Sequence, residues 1–100
     1  MYTMLVISVA TELEEELVDC LLEIPDIEEF SSSVVYAHGH SERMTLAEQV
    51  RGRRKRLQME LILPAQSVNK VLTLLRENLG GDGVYWEQAV RNFGRFSDLT

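Results

Sequence analysis

Two histidines one residue apart are the first feature of this chain that could do chemistry. His38 and His40 stand on either side of a glycine, at the end of a run typical of a β-strand. Side chains at positions i and i+2 of a strand point the same way, with Cα atoms about 7 Å apart, so two imidazoles can share one transition metal. Glu42 adds a carboxylate, and the three residues form a candidate divalent transition-metal site. Two solvent-exposed histidines in a polar loop are the alternative interpretation.

A compact basic segment follows the histidines. Five of the ten basic residues of a chain with net charge −6 stand between positions 51 and 56. Arginine binds phosphates and carboxylates through two parallel hydrogen bonds, so this segment predicts a site for a small anion. The candidate ligands are Arg51, Arg53, Arg54 and Arg56.

Other roles for the basic segment stay open. It could contact nucleic acid or an anionic membrane surface, or it could be solvated and pair with acidic residues such as Glu14 and Glu15. The acidic net charge and the lack of an aromatic stacking platform beside the arginines argue against nucleic acid.

No constellation typical of an enzyme accompanies these residues. Neither Gly-x-Ser-x-Gly nor Gly-x-x-x-x-Gly-Lys occurs, and no serine, threonine or cysteine stands with a histidine in a nucleophile motif. The single cysteine, Cys20, lies on an apolar helical stripe, where a core thiol is expected rather than a nucleophile or metal ligand. We therefore expect a non-enzymatic protein.

Length and composition limit the class of protein. A chain of 100 residues with 45% hydrophobic content indicates one domain over residues 1–100. No apolar run approaches the roughly 20 residues of a membrane helix, and no basic segment precedes the first apolar run as it would in a signal peptide. A lone cysteine fits a reducing compartment, so the expected location is the cytoplasm.

The elements that must position these residues can be read from hydrophobic periodicity. Short β-branched or alternating runs predict strands over residues 3–9, Phe30–His38, 57–63 and Val84–Val90. Thr11 and Glu14 suggest a capping box that opens the first helix, and a second helix is expected over Ser67–Leu79. The order βαββαβ predicts an α+β, ferredoxin-like fold in which two helices cover one face of a four-stranded antiparallel sheet.

Two features of this fold need a further explanation. Apolar residues such as Met4, Val6, Ile62 and Trp86 also point to the second face of the sheet, which predicts a homo-oligomer that covers them. The link between the second and third strands, residues 39–55, is much longer than the roughly 2–5 residues of an ordinary hairpin, which indicates a functional or mobile segment. Within it, Thr45 and Glu48 predict a second capping box and a short helix.

One stretch of the long link and two short pairs of residues resemble a known family. The stretch is Leu46-Ala47-Glu48-Gln49-Val50-Arg51-Gly52-Arg53-Arg54, and the pairs are Gly39-His40 before it and Tyr85-Trp86 after it. Over residues 2 to 90 the chain is similar to the PII-like proteins, most closely to the bacterial family of unknown function numbered 3240. The resemblance implies a ferredoxin-like fold, a homotrimer and a role in signal transduction, and it makes residues 39–55 the counterpart of the T-loop through which PII proteins contact partners. Members of the closer family resemble proteins encoded beside heavy-metal efflux pumps of the RND type.

The resemblance also extends to the turn before the fourth strand. Nitrogen-regulatory PII proteins carry Gly-Asp-Gly-Lys there, and the lysine helps to hold nucleotide phosphates. Here Gly81, Asp82 and Gly83 are followed by Val84, so backbone N–H groups remain to bind an anion but the lysine is missing. We therefore expect a PII-like sensor that binds a small ligand or a metal, with nucleotide binding of the nitrogen-regulatory type disfavoured. The alternative is a metal-buffering protein that uses His38 and His40.

Overall fold

The computed structural model describes residues 1–39, 45–51 and 53–100. The elements in chain order are β1 (Tyr2–Ala10), α1 (Glu14–Leu22), β2 (Phe30–His38), α2 (Leu46–Arg51), β3 (Arg53–Pro64), α3 (Val68–Leu79) and β4 (Val84–Val90). Among the described residues, no helix is long and apolar enough to cross a membrane.

The four strands form one antiparallel sheet in the order β2-β3-β1-β4. With α1 and α3 as the two crossovers, this is the ferredoxin-like arrangement that the order of elements predicted, with α2 added in the long link. The bounds predicted for β2 and β4 are confirmed at both ends.

The core lies between one face of the sheet and the two long helices. Alternate residues of β1 and β3 point into it, as the two-residue period of a strand requires, and α1 and α3 add one buried stripe each. The buried members are Leu5, Ile7, Val9, Leu17, Leu21, Ile24, Ile27, Leu57, Met59, Leu61, Leu63, Val68, Val71 and Leu75.

A partly buried hydrogen bond joins the start of α3 to the segment that follows α1. The Ser67 hydroxyl donates to the Asp26 carboxylate at 2.6 Å, and Ser67 is buried. Because Ser67 directly precedes α3, this bond fixes where α3 begins over the sheet.

The two predicted capping boxes have different outcomes. At α2 the box is present, because Thr45 N–H donates to Glu48 Oε1 at 2.8 Å and Glu48 N–H donates to Thr45 Oγ1 at 3.2 Å. At α1 the prediction is wrong: Thr11 begins a one-turn 3-10 helix, and the helix proper starts at Glu14 without a side-chain cap.

The helices α1 and α3 both pack on the first face of the sheet, and we call the second face the open face. Val6 and Arg56 are buried on it, Met4 and Ile62 are half-buried, and Trp86 is 40% exposed. The tail after β4 reaches part of this face, where the Phe93 ring lies 5.3 Å from the ring of Tyr2. The open face is therefore apolar, as the sequence predicted, and holds one buried cation.

Candidate anion site

Strand β3 begins at Arg53, four residues before the first residue of its apolar alternation, so the basic residues 53–56 lie in the sheet. Strand geometry then divides them between the two faces. Arg54 and Arg56 lie on the open face, where they pair with Ala37 and Val35 of β2. Arg53 and Lys55 lie on the helix-side face, opposite His38 and Tyr36.

Arg56 is fixed in place by the central strand. Its Nε donates to Ser8 Oγ at 3.1 Å and its Nη2 donates to the Ser8 backbone oxygen at 2.8 Å. The side chain is only 4% exposed. A buried guanidinium is costly unless its donors are bonded, so these bonds to Ser8 are needed to keep Arg56 on the sheet.

The glycine turn before β4 reaches the same point. Gly83 lies so close to β1 that an added Cβ would be 3.3 Å from Val9 Cγ1 and 3.8 Å from the Ser8 oxygen. The next residue, Val84, pairs with Ser8 in the sheet. Arg56 and Gly83, which were both predicted to bind an anion, therefore meet at Ser8 from opposite sides.

The turn itself depends on one backbone conformation. Gly80 follows α3 with a φ of +86°, a value that residues with a side chain rarely adopt, and its N–H donates to the Arg76 oxygen at 3.0 Å. The helix therefore stops abruptly, and the exposed residues Gly81 and Asp82 follow before Gly83 meets β1.

The outer part of the basic segment has a different environment. Arg53 Cζ lies 4.4 Å from the centre of the Tyr36 ring, a cation–π contact on an exposed surface. Within the part of the chain that the structure describes, Arg53, Arg54 and Lys55 form no ion pair; the single ion pair found there joins Arg95 to Glu28 at 3.7 Å. For these three residues, the pairing with Glu14 and Glu15, one of the interpretations left open, is therefore not seen.

The predicted metal site is described only in part. His38 and Tyr36 share one face of β2, and His38 is exposed and pairs with Arg53. His40, Glu42 and the side chain of Arg51 lie outside the described residues. The described ranges contain no group of three His, Cys, Asp or Glu side chains arranged to hold a metal.

Cys20 contacts the core from its edge. It is half-buried, and the pKa of its thiol is raised, first by burial and second by the nearby charge of Glu23. A raised pKa keeps the thiol protonated near neutral pH, which agrees with a packing role rather than a nucleophilic one.

Ser8 is the residue that sequence reasoning missed. It interrupts the apolar run of residues 4–9 in the central strand, and a hydroxyl in such a run needs a hydrogen-bond partner. That interruption was the available signal, but its partner Arg56 stands 48 residues away and is identified only by the register of β1 and β3.

The architecture and the motif around the long link agree with the comparisons to known proteins. Residues 1–97 match the family described as Protein of unknown function (DUF3240). The chain belongs to this family. A DUF3240 family protein from Shewanella baltica has a similar structure, with a TM-score of 0.79 at 20% identity over 95% of this chain and 96% of that chain. No curated protein matches the chain in sequence.

Two other solved structures share the fold of this DUF3240 protein. Arabidopsis thaliana PII bound to citrate has a TM-score of 0.73 at 18% identity, covering 97% of this chain and 84% of that chain. The periplasmic divalent cation tolerance protein CutA from Archaeoglobus fulgidus has a TM-score of 0.74 at 11% identity, covering 97% and 90%. The PII-like, ferredoxin-like fold expected from the sequence is confirmed.

Proposed function

We propose that this protein is a non-enzymatic, PII-like regulator that binds a small anion where Arg54, Arg56 and the Gly81–Gly83 turn lie. The observation that carries the proposal is the meeting of Arg56 and Gly83 at Ser8. It joins a fixed positive charge to a glycine turn whose backbone N–H groups can face an anion.

Arg54 is the residue expected to contact the anion directly. It shares the open face with Arg56 but is half-buried, and within the described residues it has no ion-pair partner. Arg56 is committed to Ser8 and supplies positive potential at short range. The citrate bound to Arabidopsis thaliana PII shows that a protein of this fold can hold a small polyanion, which supports this ligand class.

The proposed regulator acts as a homotrimer. The apolar residues of the open face would be covered in an assembly, and PII and CutA proteins are the structural neighbours of the chain.

We propose further that the protein is cytoplasmic and that residues 39–55 contact a partner protein. A heavy-metal efflux pump of the RND type is the partner that the family resemblance suggests. Anion binding next to the C-terminal end of residues 39–55 changes the conformation of this segment only if the anion binds one of its conformations more tightly than the others.

Titration calorimetry with citrate, ATP and inorganic pyrophosphate tests the site. We expect Arg54→Ala to weaken binding of the best of these ligands about tenfold or more, because a hydrogen bond to a charged group is lost. Arg53→Ala is the matched control, since Arg53 is one residue away but on the other face. Its binding should change less than about threefold.

Equal binding by wild type and Arg54→Ala would remove the basic segment from the site. A variant with Gly83→Ala separates the turn from the arginine, because the new Cβ would lie 3.3 Å from Val9 Cγ1 and requires a shift of a few tenths of an ångström. If this variant binds as wild type, anion binding does not depend on the close approach of the turn to β1. Sedimentation must give three times the chain mass, and a monomer mass would contradict the trimer.

A transition-metal-buffering protein is the second candidate. The exposed His38 beside Tyr36 on one face of β2 favours it, together with the sequence position of His40 and Glu42. Titration of Zn(II), Cu(II) and Ni(II) into wild type and a His38→Ala/His40→Ala double variant decides between the two functions. Equal metal binding by both proteins, or none tighter than micromolar, would contradict this candidate.

A further inference from the structure

A cavity of about 350 Å³ lies on the helix side of the sheet, between α3 and β4. It exists because β4 is an edge strand and the two helices lie over the other strands. The side chains of β4 that point to this side are exposed rather than packed under a helix. Gly81 and Gly83 of the turn before β4 line one end of the cavity, whereas Arg54 and Arg56 lie on the opposite, open face of the sheet.

The floor of the cavity is apolar. Ile7 and Val9 of β1 and Leu75 of α3 form it, and all three are buried core residues. Leu72 and Leu79 continue the apolar surface up the side of α3. A water molecule in this floor would find few hydrogen-bond partners, so an apolar group is the favoured occupant.

The rim of the cavity is polar on one side. Asn69, Thr73 and Arg76 recur at the spacing of one helical stripe and line the cavity along α3. Arg76 forms no ion pair with another residue in the described ranges. On the opposite rim, Tyr85 of β4 is 54% exposed. A single unpaired cation beside an apolar floor fits a ligand with one negative group and a hydrophobic body.

We infer that this cavity binds a hydrophobic carboxylate of the medium-chain fatty-acid class. At about 30 Å³ for each small group, the volume holds about twelve non-hydrogen atoms, enough for the roughly ten of an eight-carbon acid. The alkyl chain lies against Ile7, Val9 and Leu75, and the carboxylate accepts from the Arg76 guanidinium. Arg76 stands in the last turn of α3, so its positive charge also offsets the negative potential that the last helix carbonyls would present to the carboxylate.

Titration of sodium octanoate into the isotopically labelled, full-length protein in its native assembly, followed by NMR, tests this inference. Octanoate should shift the signals of Leu72, Thr73 and Tyr85. Acetate, which lacks the apolar body, and 1-octanol, which lacks the charge, should each bind at least about tenfold more weakly.

Two variants locate the site. Arg76→Ala should weaken octanoate binding about tenfold, whereas Lys70→Ala, an exposed cation of the same helix that does not line the cavity, should leave it unchanged. Thr73→Trp places a large side chain in the cavity from an exposed position and should abolish binding while the protein stays folded by circular dichroism.

Three outcomes would overturn the inference. If octanoate shifts no NMR signal of a cavity residue in the native assembly, the cavity is closed, for example by a second copy of the chain. Equal affinities for octanoate and 1-octanol would show that Arg76 does not bind the carboxylate. Unchanged binding by Thr73→Trp would place the ligand elsewhere. Arg54→Ala, on the opposite face of the sheet, should leave octanoate binding unchanged, so a failure of this inference is distinguishable from a failure of the proposed anion site.

Discussion

The two faces of the sheet are built from the same strands but have different chemistry. On the helix-side face, β1 presents Leu5, Ile7 and Val9, and two helices seal them into an apolar core. On the open face, the same strand presents Met4, Val6 and Ser8, and Ser8 binds a buried guanidinium. The helix-side face therefore completes the fold of the single chain, whereas the open face holds polar and apolar groups that suit binding and association.

The largest expected effect is on the helix-side face. Leu21→Ala removes a fully buried side chain of α1 and should lower the free energy of unfolding by about 2–5 kcal/mol, measured by urea or thermal denaturation. Leu22→Ala is the matched control, since the neighbouring side chain is 69% exposed and its loss should cost less than about 0.5 kcal/mol. Similar losses in both variants would contradict the position of Leu21 in the helix-side core.

On the open face, Arg56→Met tests the buried cation. Methionine keeps much of the length and apolar contact but cannot donate to Ser8, so we expect a loss of about 2–3 kcal/mol in the free energy of unfolding. Arg54→Met, the half-buried neighbour on the same face, should cost less than about 0.5 kcal/mol. A more stable Arg56→Met variant would show that the bonds to Ser8 do not offset the cost of burial.

Trp86→Ser tests whether the chain associates through the open face. Trp86 lies on the open face and Tyr85 on the helix-side face, and both are about half exposed in the single chain. Loss of an interface tryptophan weakens association by about 2 kcal/mol, or roughly thirtyfold, so sedimentation at low concentration should show a lower mass. Tyr85→Ser should keep the wild-type mass. Equal masses for the two variants would mean that the open face is not the interface.

The smallest expected effect concerns the outer part of the basic segment. Arg53→Gln removes the exposed cation–π contact with Tyr36 and should lower the free energy of unfolding by about 0.5–1 kcal/mol. Lys55→Gln lies on the same face, and among the described residues Lys55 has no cation–π contact, so this variant should change the free energy of unfolding by less than about 0.3 kcal/mol. Denaturation of both variants in one buffer gives the comparison. A larger loss for Lys55→Gln would contradict it.

Much of the fold was predictable because the signals are local. The bounds of β2 and β4 follow from short apolar runs between turn residues, and the box formed by Thr45 and Glu48 depends on two residues three positions apart. Thr11 has the same local signal, but its backbone forms a 3-10 turn and the cap is not made. The start of β3 was missed because its basic residues 53–55 have no core to face and show no apolar alternation.

The candidate site was only partly predictable for the opposite reason. The residue types of Arg56 and Gly83 indicated an anion site, but their meeting at Ser8 depends on the pairing of β1 with two strands. Register of this kind joins residues that are far apart in sequence, so no spacing within the chain reveals it. The division of the basic segment between two faces has the same origin.

The register of β3 also limits how the chain can change in length. Residues of the long link can be added or removed before Arg53 without moving the sheet, since β3 is held to β1 and β2 from Arg53 onward. One residue inserted between Arg56 and Leu57 would instead turn the four basic side chains to the opposite faces, because the side-chain period of a strand is two. Related chains should therefore vary in the length of the long link before Arg53 and keep a constant number of residues from 53 to 57.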